Sequence, residues 1–143
     1  MKIFLGSDHA GYELKSYLIT ELEKLGYTLI DKGPGSPDSV DYPDFAHPVA
    51  EEVESNSGSL GLLICGSGNG ISMSANKHQG IRSAIAWNEE VAALARQHND
   101  ANILSIPARF VNLEQALEMV ELFITTPFEG GRHQKRIDKI PCI

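Results

Sequence analysis

Cysteine is scarce: Cys65 and Cys142 are the two in 143 residues, far apart and without CxxC spacing. That excludes a disulfide framework and a cysteine-built zinc site, and makes a reduced, cytoplasmic setting the expectation. Basic residues are few as well. Twelve Lys and Arg against 19 Asp and Glu give a net charge of -7, and a generic nucleic-acid binder needs a basic face. No apolar run approaches the roughly 20 residues of a membrane span. Met1 to Gly6 runs straight into Asp8-His9, too short an apolar start for a signal peptide. Neither GxxxxGK[ST] nor GxGxxG occurs, so P-loop and dinucleotide-binding readings are poor. Internal repeats, low-complexity tracts and domain linkers are also missing. What remains, 42% hydrophobic and 22% charged, is an ordinary globular balance in a chain long enough for one domain with a real core.

The stretch that organises the chain is Leu60 to Lys77, LGLLICGSGNGISMSANK. Leu62 to Ile64 reads as a strand buried on both faces, and a helix start is expected from Ile71. Between them stand Cys65 and the alternating glycines Gly66, Gly68 and Gly70, with Ser67 and Asn69 interleaved. A glycine turn between strand and helix aims backbone N–H groups at one point, beside the positive end of a helix dipole. An anion would be held there. A thiol at a helix N-terminus is in the setting that favours its thiolate.

Around this loop the periodicities predict strands at Lys2–Leu5, Tyr27–Ile30, Arg82–Trp87 and Ile103–Ile106. Helices are expected at Tyr12–Leu25 with a stripe of Leu14, Leu18, Leu22 and Leu25, and from an Asp44 cap to Ser55 with Phe45, Val49 and Val53 inward. Asn88 caps a helix to His98 with Val91, Leu94 and Ala95 inward, and Asn112 caps one to Ile124 with Leu113, Leu117, Val120 and Ile124 inward. A last basic helical piece spans Gly131 to Ile140. The segment Asp31 to Asp44, with Gly33, Pro34, Gly35, Pro37 and Pro43, must be a loop, and loops this long in a compact domain are usually functional. Strands alternating with helices give a three-layer α/β/α domain over residues 1–143 with a five-stranded parallel sheet. Ligands of such sheets sit at the carboxyl ends of the strands. Asp8 and His9, Cys65 and Arg109 all follow strands and so share that edge.

Each candidate has a plainer account. A strand-end cysteine is often a small core residue, Asp8 can serve as a helix cap, and His98 near a helix C-terminus complements the dipole. Arg132 and Arg136, four apart, either clamp a phosphate together or belong to a solvated basic tail with His133, Lys135 and Lys139. Tyr42 either packs or closes over a ligand. Cys142 reads as a bystander.

Together, Ser7-Asp-His-Ala-Gly11, Asp41-Tyr-Pro-Asp44, Cys65-Gly-Ser-Gly-Asn-Gly70 with Ala75-Asn-Lys77, Arg96-Gln-His-Asn99 and Gly130-Gly-Arg-His133 resemble the B type of ribose-5-phosphate isomerase, in that family's order, from Met1 to about Ile140. The resemblance implies a Rossmann-like fold, a homodimer or dimer of dimers with shared active sites, and interconversion of ribose 5-phosphate and ribulose 5-phosphate without metal or cofactor. It implies Cys65 as the base at C2, His98 as the ring opener, Asp8 on the sugar hydroxyls, and Gly66, Gly68, Asn69 and Gly70 with Ser67 around the enediolate. His9, Arg109, Arg132 and Arg136 would surround the phosphate, Asn99 would hold the substrate, and Tyr42 lies in the matching loop motif. Many members carry Thr at the Ser67 position, which keeps the hydroxyl. Another branch replaces the cysteine by a Glu after the glycine loop; that position is Ile71 here, so Cys65 is the expected base.

The residues support the same chemistry on their own terms. Aldose–ketose isomerisation needs a base at the α-carbon and donors where charge develops on oxygen. A dianionic phosphate needs cations, which arginines supply with bidentate geometry. Three rivals stand beside this reading: the same reaction on a six-carbon substrate such as allose 6-phosphate, a non-catalytic phosphate- or nucleotide-binding module, and a hydrolase using a Cys65–His98 pair.

Overall fold

The computed structural model describes residues 1–143. The elements are β1 (Lys2–Ser7), a 3-10 turn (His9–Gly11), α1 (Tyr12–Lys24), β2 (Thr28–Asp31), α2 (Pro43–Ser55), β3 (Leu60–Cys65) and α3 (Asn69–Ala75). They continue with β4 (Ser83–Ile85), α4 (Glu89–Asn99), β5 (Ile103–Pro107), α5 (Leu113–Thr125) and α6 (Arg132–Ile137). The five strands are all parallel in the order β2-β1-β3-β5-β4. This is the expected Rossmann-like α/β/α architecture.

The alternation of side chains along the strands builds two cores. Ile3, Leu5, Leu62, Ile64, Leu104 and Ile106 face α1, α4 and α5. Phe4, Leu63, Cys65 and Ile103 face α2 and α3. A strand covered on both faces needs a continuous apolar run, and all six residues of β3 are buried. The path runs β1 to β2 in one direction and then returns to β3 on the other side of β1. The crevice between the carboxyl ends of β1 and β3 is therefore the topological switch point.

Several boundaries differ from the sequence expectation for identifiable reasons. Leu25 is 55% exposed rather than part of the α1 stripe, because the helix stops at Lys24 and Gly26 turns the chain at φ 91°. Asp44 is not the α2 cap: the helix starts at Pro43, which suits a first-turn position. Asn88 and Asn112 cap as expected, accepting from the N–H groups of Val91 and Gln115 at 2.9 and 2.7 Å. On α4 the buried contacts are Ala92 and Ala95, with Val91 only half-buried. On α5 they are Ala116, Met119, Val120 and Phe123, so the buried arc sits beside the one the leucines suggested. Helix α3 begins at Asn69, two residues early, because the glycine turn is tighter than its length implied.

Candidate active site

Cys65 ends β3 with its side chain in the core and only 5% exposed. Directly after it the backbone folds back on the sulfur, and the Gly68 N–H donates to Sγ at 3.2 Å. Gly68 sits at φ 78°, ψ -12°, a left-handed conformation that a side chain rarely adopts, and leads into α3. The Asn69 N–H is taken by Ser67 Oγ at 3.2 Å. N–H groups at the start of a helix lack intrahelical acceptors, and here the Gly68 N–H meets the sulfur while the Asn69 N–H meets Ser67. A chain of hydroxyls anchors it from behind: Ser72 Oγ donates to Ser83 Oγ at 3.0 Å, and Ser83 Oγ lies 2.7 Å from Ser105 Oγ, tying α3 to β4 and β5.

Neighbouring strand ends bring in the other residues. The Asp8 N–H donates to the Ile64 carbonyl at 3.1 Å, which sets the Asp8–Gly11 turn beside the glycine loop. Asp8 Oδ1 accepts from the Gly11 N–H at 3.1 Å, so its capping role is realised. His9 Nδ1 accepts from the Val40 N–H at 3.3 Å, which leaves Nε2 to carry the ring proton. Tyr42 packs: a Cβ on Gly70 would come within 2.5 Å of its Cζ and 2.8 Å of its hydroxyl. Arg109 lies on the other side, 3.1 Å from where a Gly66 Cβ would stand, with its own N–H on the Gly66 carbonyl at 3.1 Å. Glycine at 66 and 70 is thus what lets a guanidinium and a phenol close on the loop.

The remaining candidates are elsewhere. Helix α4 starts beyond the carboxyl end of β4 and runs back, so His98 and Asn99 lie at the amino edge of the sheet. Eleven residues of helix separate the two edges by about 16 Å. Arg82, just before β4, donates to the Asn99 carbonyl there at 3.2 Å. His98 stacks on His133 with centroids 4.6 Å apart, which brings the α6 residues Arg132 and Arg136 to the same edge. A Cys65–His98 pair within one chain, as a hydrolase would need, is ruled out by this separation. Charge sorts the arginines in an instructive way. Arg82 and Arg96 both engage Asp100, whereas Arg109, Arg132 and Arg136 have no acidic partner.

Two features escaped sequence reading. Lys15 is fully buried and donates to Asp31 Oδ1 at 2.7 Å and to the Pro34 carbonyl at 2.8 Å, pinning the start of the long loop to α1. Its signal was a charge between Leu14 and Leu18 on an apolar helix face. Glu129 lies between His98 and His133, and its four-residue spacing from His133 was the available sign.

The model of the Ribose/Galactose Isomerase family matches residues 3–140. A curated relative, probable ribose-5-phosphate isomerase B of Mycoplasma pneumoniae, is 48% identical over 139 residues, covering 96% of this chain and 91% of its own. The solved ribose-5-phosphate isomerase B of Clostridium thermocellum superposes with a TM-score of 0.96 at 49% identity, covering 98% of this chain and 95% of that one. The Mycoplasma genitalium enzyme, solved with bound ribulose 5-phosphate, gives a TM-score of 0.94 at 47% identity over 97% and 93% of the two chains. With this match running through β1, the glycine loop and α6 alike, the chain belongs to the ribose/galactose isomerase family.

Proposed function

We infer that the protein interconverts D-ribose 5-phosphate and D-ribulose 5-phosphate through an enediolate, the aldose–ketose step of the non-oxidative pentose phosphate pathway. The observation that carries the reading is the Cys65 sulfur under the Gly68 N–H, at the mouth of a donor-lined turn. In the open-chain aldose, Cys65 takes the C2 proton. The electron pair released forms the C1–C2 double bond, and negative charge moves to O1, where the glycine-loop N–H groups and Ser67 stabilise it. Proton transfer between the two oxygens and return of a proton to C1 give the ketose. Asp8 orients the sugar hydroxyls, His9 and Arg109 meet the phosphate, and Tyr42 walls the loop at Gly70.

His98 opens the furanose ring, Asn99 holds the sugar, and Arg132 and Arg136 complete the phosphate site. These four lie at the amino edge, so a second copy of the chain supplies them to each Cys65. The working unit is thus a homodimer, or a dimer of dimers, with sites between subunits. The two free cysteines suit a reducing cytoplasm.

The test is C2 proton exchange in deuterated buffer with ribose 5-phosphate. Exchange and ribulose 5-phosphate formation are both expected to fall at least about 10²-fold in Cys65→Ala, the lower range for losing a general base. Undiminished exchange in the variant would move the base elsewhere. Turnover of allose 6-phosphate by the wild type, with none of the pentose, would shift the assignment to a six-carbon substrate.

A further inference from the structure

At the amino edge, three ligand-type side chains converge outside the Cys65 crevice. His98 Nε2 lies 3.9 Å and His133 Nε2 3.6 Å from the same carboxylate oxygen, Glu129 Oε1. All three ligand atoms fall within 4.8 Å of one another. The two imidazoles are stacked near-parallel, 16° apart with centroids 4.6 Å apart, so their in-plane Nε2 lone pairs run side by side, and the half-exposed His98 ring must turn to share an ion with Glu129 and His133. Tetrahedral coordination at bond lengths of about 2.1 Å places ligand atoms roughly 3.4 Å apart. Two of the three separations are already close to that value. Two imidazoles and one carboxylate form a donor set suited to Zn²⁺, Co²⁺ or Ni²⁺ rather than Mg²⁺ or Ca²⁺, which prefer oxygen ligands. The frame is also well placed to hold an ion. His133 is held within α6 with its side chain 12% exposed, Glu129 precedes that helix, and the Glu129 N–H is fixed on the Gln97 carbonyl at 3.1 Å.

We propose that His98, Glu129 and His133 form a site for a divalent transition-metal ion, and that an ion bound there inhibits the enzyme by occupying His98. The inhibitory half rests on the isomerase reading; the binding half does not. The metal has no part in turnover. It occupies a ring nitrogen of His98, the residue assigned to ring opening, and it ties α4 to α6 next to Arg132 and Arg136. The site is therefore a metal-sensitive off state built from the ring-opening residue and two side chains packed beside it.

Co²⁺ is the probe for binding, followed by its visible absorption on the intact protein, with Mg²⁺ as the control. The wild type is expected to take up a single Co²⁺ per chain, with no sulfur-to-metal charge-transfer band to implicate Cys65 or Cys142. Losing an outer-shell partner alone costs about 10–100-fold in affinity, so Glu129→Gln and His133→Asn should each weaken binding at least that much. In parallel, Zn²⁺ should inhibit wild-type turnover of ribose 5-phosphate. Glu129→Gln should keep its metal-free turnover and need at least about tenfold more Zn²⁺ for the same inhibition. Absent Co²⁺ uptake, uptake unchanged in both variants, or a sulfur band would overturn the site. Uptake without inhibition of an active enzyme would overturn the inhibitory half. A wild type inactive even without metal would count against the isomerase reading, while the Co²⁺ titration would still decide the site.

Discussion

Lys15 carries a charge into the core side of α1, and its two acceptors, Asp31 Oδ1 and the Pro34 carbonyl, belong to the loop that reaches His9 and Tyr42. Lys15→Met keeps the apolar stem but strands a buried carbonyl, a loss of about 1–3 kcal/mol. Asp31 is 44% exposed and can turn to water, so the lower part of that range is expected. A urea titration would measure it, and a variant as stable as the wild type would contradict the pinning role. Cys65 was legible from sequence because strand, thiol and alternating glycines are contiguous. The partners of Lys15 were not, since a pairing across 16 and 19 residues leaves no local periodicity.

Two glycines separate structural from site demands at the scale of elements. A Cβ on Gly11 would meet the Ile64 carbonyl at 2.5 Å, a contact between the first turn and β3 that neither backbone can give up. Gly11→Ala should cost about 1–3 kcal/mol through overpacking and lower the melting temperature. The three atoms a Cβ on Gly70 would meet first all belong to the half-exposed Tyr42 side chain, which can swing away. Gly70→Ala should therefore change stability by under about 1 kcal/mol while displacing Tyr42 from the loop, seen as altered Tyr42 ring resonances. Equal destabilisation by both would mean that Tyr42 is fixed as firmly as the sheet. The strands and helix caps were readable because alternation and Asn caps are local signals. The ends of α1 and α2 moved because Gly26 and Pro43 act more strongly than the apolar stripes beside them.

For the whole molecule, the split of candidate residues between the two sheet edges gives a test that needs no structure. Cys65→Ala and His98→Ala should each be inactive. If a site takes Cys65 from one subunit and His98 from the other, exchanging subunits of the two variants restores intact sites. With random dimers, half the population is mixed and one site in each mixed dimer is whole, so roughly a quarter of wild-type activity should return. An equimolar mixture that stays inactive after subunit exchange would overturn the shared site, since the two residues are too far apart to act together within one chain. The layer architecture and the common edge of Asp8, His9, Cys65 and Arg109 followed from strand order alone. That His98 and Asn99 face the opposite way follows from helix direction, which residue spacing by itself does not announce.

The sheet terminates in β2 and β4, four and three residues long. Borders this short present few unpaired N–H and C=O groups, so another chain cannot readily be recruited by adding strands. In the proposed dimer the copies then meet through helices and loops, where specificity comes from side-chain shape. The same blunt borders guard a sheet this apolar against growing into fibrils.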